Sequence, residues 1–150
     1  MKISTKGRYG LRALIDVAVH SEKEASSISA IATRENLSES YLEQLMAKLK
    51  KAGLVTSIRG AQGGYILAKP ADEISVGDIL RALEGDLTPV DCPEIIEDGA
   101  CSGADICVTK YVWKKINDSI NQTVDEMKLS ALLEESKKKN ETVQNCQCDK

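Results

Sequence analysis

Three cysteines are the residues of this chain best suited to metal chemistry. Cys92, Cys101 and Cys107 lie in a polar stretch that contains Gly and Asp, in the pattern C-x8-C-x5-C. Zinc sites favour closely paired cysteines, and haem attachment needs a C-x-x-C-H sequence, which is absent. Three thiolates with one further ligand suit an iron–sulfur cluster, so the spacing favours a cluster site. Three unligated thiols are the alternative.

Catalytic chemistry has few candidates elsewhere. His20 is the single histidine, so neither a His-based dyad nor a hydrolytic metal centre is expected, and we predict that the chain is not an enzyme. Gly63 and Gly64 belong to no G-x-G-x-x-G pattern, which disfavours nucleotide binding. Because the chain has neither an apolar leader nor a run of about 18 apolar residues, it is predicted to be cytoplasmic, with no membrane partner and with reduced thiols.

Charge is distributed unevenly along the chain. Residues 1–69 contain 11 Lys/Arg and 6 Asp/Glu, whereas residues 70–150 contain 9 and 17, so the net charge of −3 conceals a basic first half. Clustered cations are expected on a surface that faces phosphates. The pattern therefore predicts that the first half binds double-stranded DNA and that the acidic half faces away from it.

The elements that must position these residues are predicted to be mainly helical. With 150 residues and 42% apolar content, the chain can form one compact domain with an appended element. Helical spacing and capping residues predict a first helix from Ser4 or Thr5 to about His20, and a short second helix that begins after Ser27. A tight turn then leads into a third helix.

The third helix is the predicted DNA-reading element. Ser38 and Ser40 are both possible N-caps, and Ser40 with Glu43 fits a capping box. Glu43 either discriminates between operators, by accepting from cytosine, or pairs with Lys48. An inward apolar stripe is formed by Leu42, Leu45, Met46 and Leu49. The outward side carries groups that can bind base edges or phosphates, namely Ser40, Tyr41, Glu43, Gln44 and Lys48.

A glycine-rich hairpin follows the third helix. Leu54–Ile58 and Tyr65–Ala68 are predicted strands, and Arg59–Gly64 is the turn between them. Two helices followed by such a hairpin are typical of a winged helix-turn-helix, whose second helix fits the major groove of DNA. Arg59 at the tip either enters a narrow minor groove or is a solvated turn residue.

The second half is predicted to contain one long helix. Ser75 opens a fourth helix, and the helical spacing resumes after the cysteines, from about Cys107 to Leu129. The apolar seam of this long helix either is buried against a second copy of the chain, which we favour, or packs on its own domain. Its members are Val112, Ile116, Ile120, Val124 and Met127.

Four segments are predicted from these patterns. Residues 1–84 form a winged helix-turn-helix DNA-binding domain, and residues 85–107 form a cysteine-rich loop. Residues 108–135 contain the dimerisation helix and one short further helix, from Ser130 to Leu133. Residues 136–150 have few apolar groups and are predicted to be disordered.

The combination of motifs closely resembles the Rrf-type winged-helix regulators of bacteria, in particular their iron–sulfur cluster regulator (IscR) branch. The matching segments are Met1–Gly10, Ser40–Leu45, Gly53–Val55 and Arg59–Tyr65. The resemblance implies a homodimer on a pseudo-palindromic operator. It also implies that the three cysteines hold a 2Fe-2S cluster, with 4Fe-4S as the alternative, whose occupancy adjusts transcription of cluster-assembly genes. The residues predicted to bind DNA are Lys2, Ser38, Ser40, Tyr41, Glu43, Gln44, Lys48, Arg59 and Gly60.

The fourth cluster ligand departs from the resemblance. This chain has Lys110, a poor ligand while protonated, where the best-known relatives have a histidine, and Arg8 where nitric-oxide-sensing relatives have a carboxylate. Three alternatives stay open: a nitric-oxide-sensing regulator, a cluster-free CymR-like repressor of cysteine metabolism that senses through a partner enzyme, and an iron–sulfur electron carrier. Candidate fourth ligands are Asp105, Glu97, Asp98, Cys146 and Cys148.

Overall fold

The computed structural model describes residues 2–92 and 101–147, with side chains described up to residue 142. The helices are α1 Thr5–His20, α2 Ile28–Glu35, α3 Glu39–Lys51, α4 Val76–Glu84, α5 Thr109–Glu126 and α6 Leu129–Gln147. An antiparallel hairpin is formed by β1 Val55–Ile58 and β2 Gly64–Leu67, and a 3-10 turn spans Ala71–Glu73. The predicted fold class, mainly helical with a small β wing, is confirmed.

Serine side chains start the helices of the first half. The hydroxyls of Ser4, Ser27, Ser38 and Ser75 each accept a hydrogen bond from a backbone N–H in the first turn of α1, α2, α3 and α4. Such a cap satisfies a donor that has no partner inside the helix. Ser38 therefore begins α3, and the capping box predicted for Ser40 is wrong because Ser40 already lies in the first turn.

The hydrophobic core surrounds α1, which packs against α2, α3, α4 and α6. Leu14 and Val17 of α1 are fully buried there, together with the inward stripe predicted for α3. Ile79 and Leu83 of α4 close the core on one side, and Leu129 at the start of α6 closes it on another. The exposed side of α3 is thereby held outward on a rigid base.

The predicted apolar seam of α5 has two parts with different environments. Val124 packs against a second cluster formed by α4 and the residues after it, whereas Val112 and Ile116 are 50% and 40% exposed. Val124 thus packs on its own domain, whereas Met127, at the C-terminal end of the seam, is 44% exposed and the N-terminal part has no cover within the described chain. None of the described helices is long and apolar enough to cross a membrane.

The helix α6 corrects the prediction for the end of the chain. It runs from Leu129 to Gln147, where the sequence had predicted a helix ending at Leu133 and a disordered tail from residue 136. A shortage of apolar residues predicts little packing, but it does not exclude a helix in a segment of Glu and Lys without Gly or Pro. Leu133 packs on the core and anchors the exposed turns that follow.

Replacing Ser75 with Ala should cost about 1 kcal/mol of unfolding free energy, because Asp78 N–H loses its capping acceptor. Burial raises the pKa of Asp78, but hydrogen bonds with the Ser75 N–H and hydroxyl outweigh it and lower that pKa. The stability from this carboxylate is therefore present above the unfolded pKa of about 4 and is lost as the pH falls through the folded value. Denaturant unfolding at pH 7 and pH 3 should show a smaller loss on acidification for Ser75→Ala than for wild type.

Ser27→Ala is the matched control for this prediction. It removes the same type of cap from α2, whose first turn contains no acidic residue. Its loss of stability should be similar at both pH values. An unchanged pH dependence in Ser75→Ala would show that the reciprocal cap does not contribute to acid sensitivity.

Candidate functional site

The outward face of α3 presents hydrogen-bonding groups to solvent. Ser40, Glu43 and Gln44 are exposed, while the residues between them point into the core. Ser38 is also exposed, at the N-terminus of the helix, where backbone N–H groups and the helix dipole favour a phosphate. Four residues of the predicted face, Ser38, Ser40, Glu43 and Gln44, are therefore accessible on the outside of α3.

Lys48 contacts α4 through its side chain. Its Nζ donates a hydrogen bond of 3.2 Å to the carbonyl oxygen of Leu83, near the end of α4. The ammonium thus interacts with the negative end of the α4 dipole. Among the described residues Glu43 makes no ion pair, so the predicted pairing of Glu43 with Lys48 is wrong.

Tyr41 is half-buried and joins α3 to the start of α1. Its ring meets the Tyr9 ring edge-on, with centroids 6.3 Å apart, and its hydroxyl lies 3.5 Å from Thr5 Oγ1. The guanidinium carbons of Arg8 and Arg12 lie 5.9 and 5.7 Å from the centroid of the Tyr9 ring. Arg8 and Arg12, four residues apart on α1, therefore place two cations beside the Tyr9–Tyr41 pair, and neither was among the residues predicted to bind DNA.

The wing carries Arg59 and Gly60 at its exposed tip. Gly60 has φ +113°, and its carbonyl accepts from Gly63 N–H at 3.0 Å, which closes the turn. At Gly63 a Cβ would lie 2.4 Å from the Ile58 carbonyl oxygen, so no larger residue fits. Arg59 is exposed at this turn and lines a cleft together with residues 21–25, which follow α1.

The root of the wing is fixed by a buried polar group. Ser26, in the loop after α1, exchanges backbone hydrogen bonds of 3.0 and 2.8 Å with Tyr65 of β2. Asp16, nearly buried, accepts a bidentate pair of hydrogen bonds from Arg34, which also donates to the Ser26 hydroxyl at 2.6 Å. This network sets the position of the wing relative to α1 and α2.

The three cysteines are free and partly exposed. Within residues 2–92 and 101–147 no group of three His, Cys, Asp or Glu side chains is arranged to hold a metal ion. Residues 93–100, which connect Cys92 to Cys101, lie outside the described chain. The described structure therefore shows suitable donors without showing them gathered into a site.

Cys107 has the environment of a stabilised thiolate. A hydrogen bond with the Thr109 hydroxyl, at 3.3 Å from Sγ, lowers the pKa of the Cys107 thiol, and the backbone N–H of Lys110 lowers it further. These groups belong to the first turn of α5, whose dipole also favours an anion. A thiolate is the form that binds metals, so the donor chemistry of Cys107 fits a cluster.

The positions considered for a fourth ligand are only partly resolved by the structure. Lys110 donates from Nζ to the Ala104 carbonyl oxygen at 2.5 Å, so its amine is occupied as a donor. Asp105 is exposed. The other candidates, Glu97, Asp98, Cys148 and the side chain of Cys146, lie outside the described residues.

Comparison with known proteins places this arrangement in a family. Residues 3–135 match the Rrf2 family, described as iron-dependent transcriptional regulators. The chain is 45% identical over 132 residues to the transcriptional regulator CymR of Bacillus subtilis, covering 88% of this chain and 89% of that protein. It is 38% identical over 133 residues to IscR of Cronobacter sakazakii, covering 89% and 80%. A solved structure, T. potens IscR, superposes with a TM-score of 0.71 at 46% identity, covering 91% of this chain and 88% of that one. The chain therefore belongs to the Rrf2 family of transcriptional regulators and is not an enzyme.

Proposed function

We propose that this regulator acts in the cytoplasm as a homodimer that binds a double-stranded operator, and that its three loop cysteines hold an iron–sulfur cluster that sets DNA affinity. The observation that carries the proposal is the combination of a polar reading face on α3 with three partly exposed thiols that flank the connection from α4 to α5. The proposed targets are genes of iron–sulfur cluster assembly.

The docking proposal assigns different tasks to the exposed groups. Ser40, Glu43 and Gln44 project from α3 and read base edges in the major groove. Arg59 enters the adjacent minor groove, where a narrow groove enhances the negative potential. Lys2, Ser38, Tyr41 and Gly60 contact the sugar-phosphate backbone and fix the register. Lys48, which is exposed and donates to the Leu83 carbonyl, neutralises a phosphate.

The homodimer proposal is supported by the uncovered part of α5. Tyr111, Val112 and Ile116 are 67%, 50% and 40% exposed at helical spacing. A continuous apolar stripe of this kind is stabilised by burial against a second helix. A second copy of α5 covers the stripe and pairs two DNA-reading heads, as a pseudo-palindromic operator requires.

The cluster proposal rests on the donor set. Hydrogen bonds with Thr109 and Lys110 lower the pKa of the Cys107 thiol, and Cys92 and Cys101 supply two further free thiols from the same connection. An iron–sulfur cluster, when bound, supplies a group that is sensitive to iron supply and to oxidants. A 2Fe-2S cluster is the first choice and 4Fe-4S the alternative.

A CymR-like function without a cluster is the second candidate. CymR of B. subtilis is 45% identical to this chain, and the described residues do not gather the thiols into a site. In this alternative the chain is a repressor of cysteine metabolism that receives its signal from a partner protein. The two candidates share the DNA-binding face and differ only at the cysteines.

Tyr41→Ala and Arg59→Ala should each weaken specific operator binding by about 1–3 kcal/mol, because each removes a contact that orients the protein on DNA. Fluorescence anisotropy with a labelled operator at several salt concentrations measures this effect. Tyr41→Phe retains the ring contact with Tyr9 and isolates the hydroxyl. Lys139→Ala removes one positive charge from α6 and should change affinity little. Wild-type affinity in both alanine variants would contradict the docking.

Glu43→Gln should broaden the set of operators bound, because the carboxylate penalises sites that offer no matching donor. Selection from a randomised operator library, followed by sequencing, compares the preferences of variant and wild type. The same preferences with uniformly tighter binding would mean that Glu43 acts only through its charge.

Alanine replacement of Cys92, Cys101 or Cys107 should each abolish visible absorption of anaerobically reconstituted protein, because a missing thiolate ligand is not easily replaced. The matched control is the double variant Cys146→Ser, Cys148→Ser, which leaves the three loop thiols intact. Absorption retained in this control would exclude both tail cysteines as ligands. Wild-type protein that binds its operator but never acquires absorption would favour the CymR-like function.

A further inference from the structure

The N-terminal arm, residues 2–4, lies on the first residues of the cysteine segment. Ile3 packs against the cluster formed by Val76, Leu80 and Leu87. Lys2 and Ile3 also line a cleft of about 170 Å³ together with Glu84 and residues 86–88. The start of the chain, which carries a proposed DNA contact, is therefore seated on the segment that leads to Cys92.

Glu84 makes the most specific contact between the arm and this segment. Its Oε1 accepts hydrogen bonds from Ser4 N–H at 2.8 Å, from the Ser4 hydroxyl at 2.7 Å and from Gly7 N–H at 2.9 Å. Burial raises the pKa of Glu84, but these three hydrogen bonds outweigh it and lower the pKa, so the group is a carboxylate at neutral pH. A Cβ on Gly7 would lie 2.4 Å from Oε1, so only glycine permits the contact.

The contact between Glu84 and Ser4 is connected to the proposed DNA-reading face through the next residue, Thr5. Ser4 is the N-cap of α1, and the next residue, Thr5, lies with Oγ1 3.5 Å from the Tyr41 hydroxyl. Lys2 is two residues away on the other side of Ser4. Glu84 therefore fixes the backbone between two proposed DNA contacts, although its own side chain faces the protein.

The residues that follow Glu84 in sequence connect it to the cysteines. Gly85, with φ +88°, ends α4, and Leu87 returns to the apolar cluster and is 5% exposed. The Asp86 side chain accepts from Thr88 N–H at 3.2 Å and shapes the turn between them. Cys92 follows five residues after Leu87. A rearrangement around Cys92 that displaced Leu87 or Glu84 would displace the arm as well.

We propose that Glu84 is a positioning residue for DNA binding, which holds the N-terminal arm so that Lys2 and Tyr41 engage the operator. Glu84 is also the contact through which the cysteine segment changes operator affinity; this second role rests on the proposed cluster function. Its carboxylate acts through Ser4 and Gly7 and does not touch DNA.

A double-mutant cycle in the full-length protein without a cluster tests the positioning role. Lys2→Ala should weaken binding and lower the salt slope of log Kd by about 1 in wild type, because one phosphate contact is lost. In the Glu84→Gln background Lys2→Ala should have little further effect, because the arm is no longer held. Additive effects of the two substitutions would overturn the proposal.

Whether Glu84→Gln weakens or tightens DNA binding provides a second test. Glu84→Gln removes a negative charge, so a purely electrostatic effect would tighten DNA binding, whereas loss of positioning weakens it. Glu73→Gln removes the same charge from the exposed 3-10 turn and is the matched control. Tighter binding in both variants would overturn the proposal. Circular dichroism checks the fold, and Ser4→Ala, which removes one of the three donors, should weaken binding in the same direction if Glu84→Gln fails to fold.

Comparison of cluster-loaded and cluster-free protein tests the transmission role. The ratio of their operator affinities is expected to be roughly 5- to 150-fold in wild type and to approach one in Glu84→Gln. A large ratio that persists in the variant would overturn transmission through Glu84. A ratio of one in wild type would contradict the cluster function and transmission with it, and the double-mutant cycle would still decide the positioning role separately.

Discussion

The packing of α4 is the constraint on which the relative positions of the other elements depend. This nine-residue helix buries both of its sides. Ile79 and Leu83 belong to the main core with α1 and α3, whereas Val76 and Leu80 form a second cluster with Leu87. Because densely packed interiors resist small displacements, α4 cannot rotate without opening one of the two clusters. It therefore connects the proposed DNA-reading helices to α5 and to the cysteine segment, so that these elements move together.

Polar contacts fix the orientation of α4 relative to α5, α3 and α1. Arg81, on α4, donates to both carboxylate oxygens of Asp125 and to the Asn121 side chain, which fixes α5 against α4. In the same last turn of α4, the Leu83 carbonyl and the Glu84 carboxylate contact α3 and α1. Hydrogen bonds are directional, whereas apolar packing alone tolerates small shifts. The last turn of α4 thus connects the proposed dimer helix to the proposed reading face.

Local patterns predicted much of the fold, but contacts between distant segments could not be predicted. The caps at Ser27 and Ser75, the α3 stripe and the wing follow from spacing and turn chemistry, which act over a few residues. Ser40 was a plausible cap because it satisfies the same local rule as Ser38. Lys48 and Glu84 have partners 35 and 80 residues away in sequence, respectively, and their roles depend on how α4 packs. Whether Cys92, Cys101 and Cys107 come together in the proposed cluster site also depends on contacts between segments that are distant in sequence.

The internal pairing of charges explains why the basic character of the first half persists at the surface. Asp16 is paired with Arg34, and Glu35 with Arg12 at 2.8 Å, so these acids are neutralised within the domain. Pairing removes equal numbers of both signs, and the excess of Lys and Arg over the first 69 residues is therefore carried by the remaining side chains. Glu43, which forms no ion pair within the described chain, stays as a negative charge on the outward side of α3. Such a carboxylate opposes general attraction to phosphates and favours only those sequences that offer it a donor, which makes it suited to discrimination rather than to affinity.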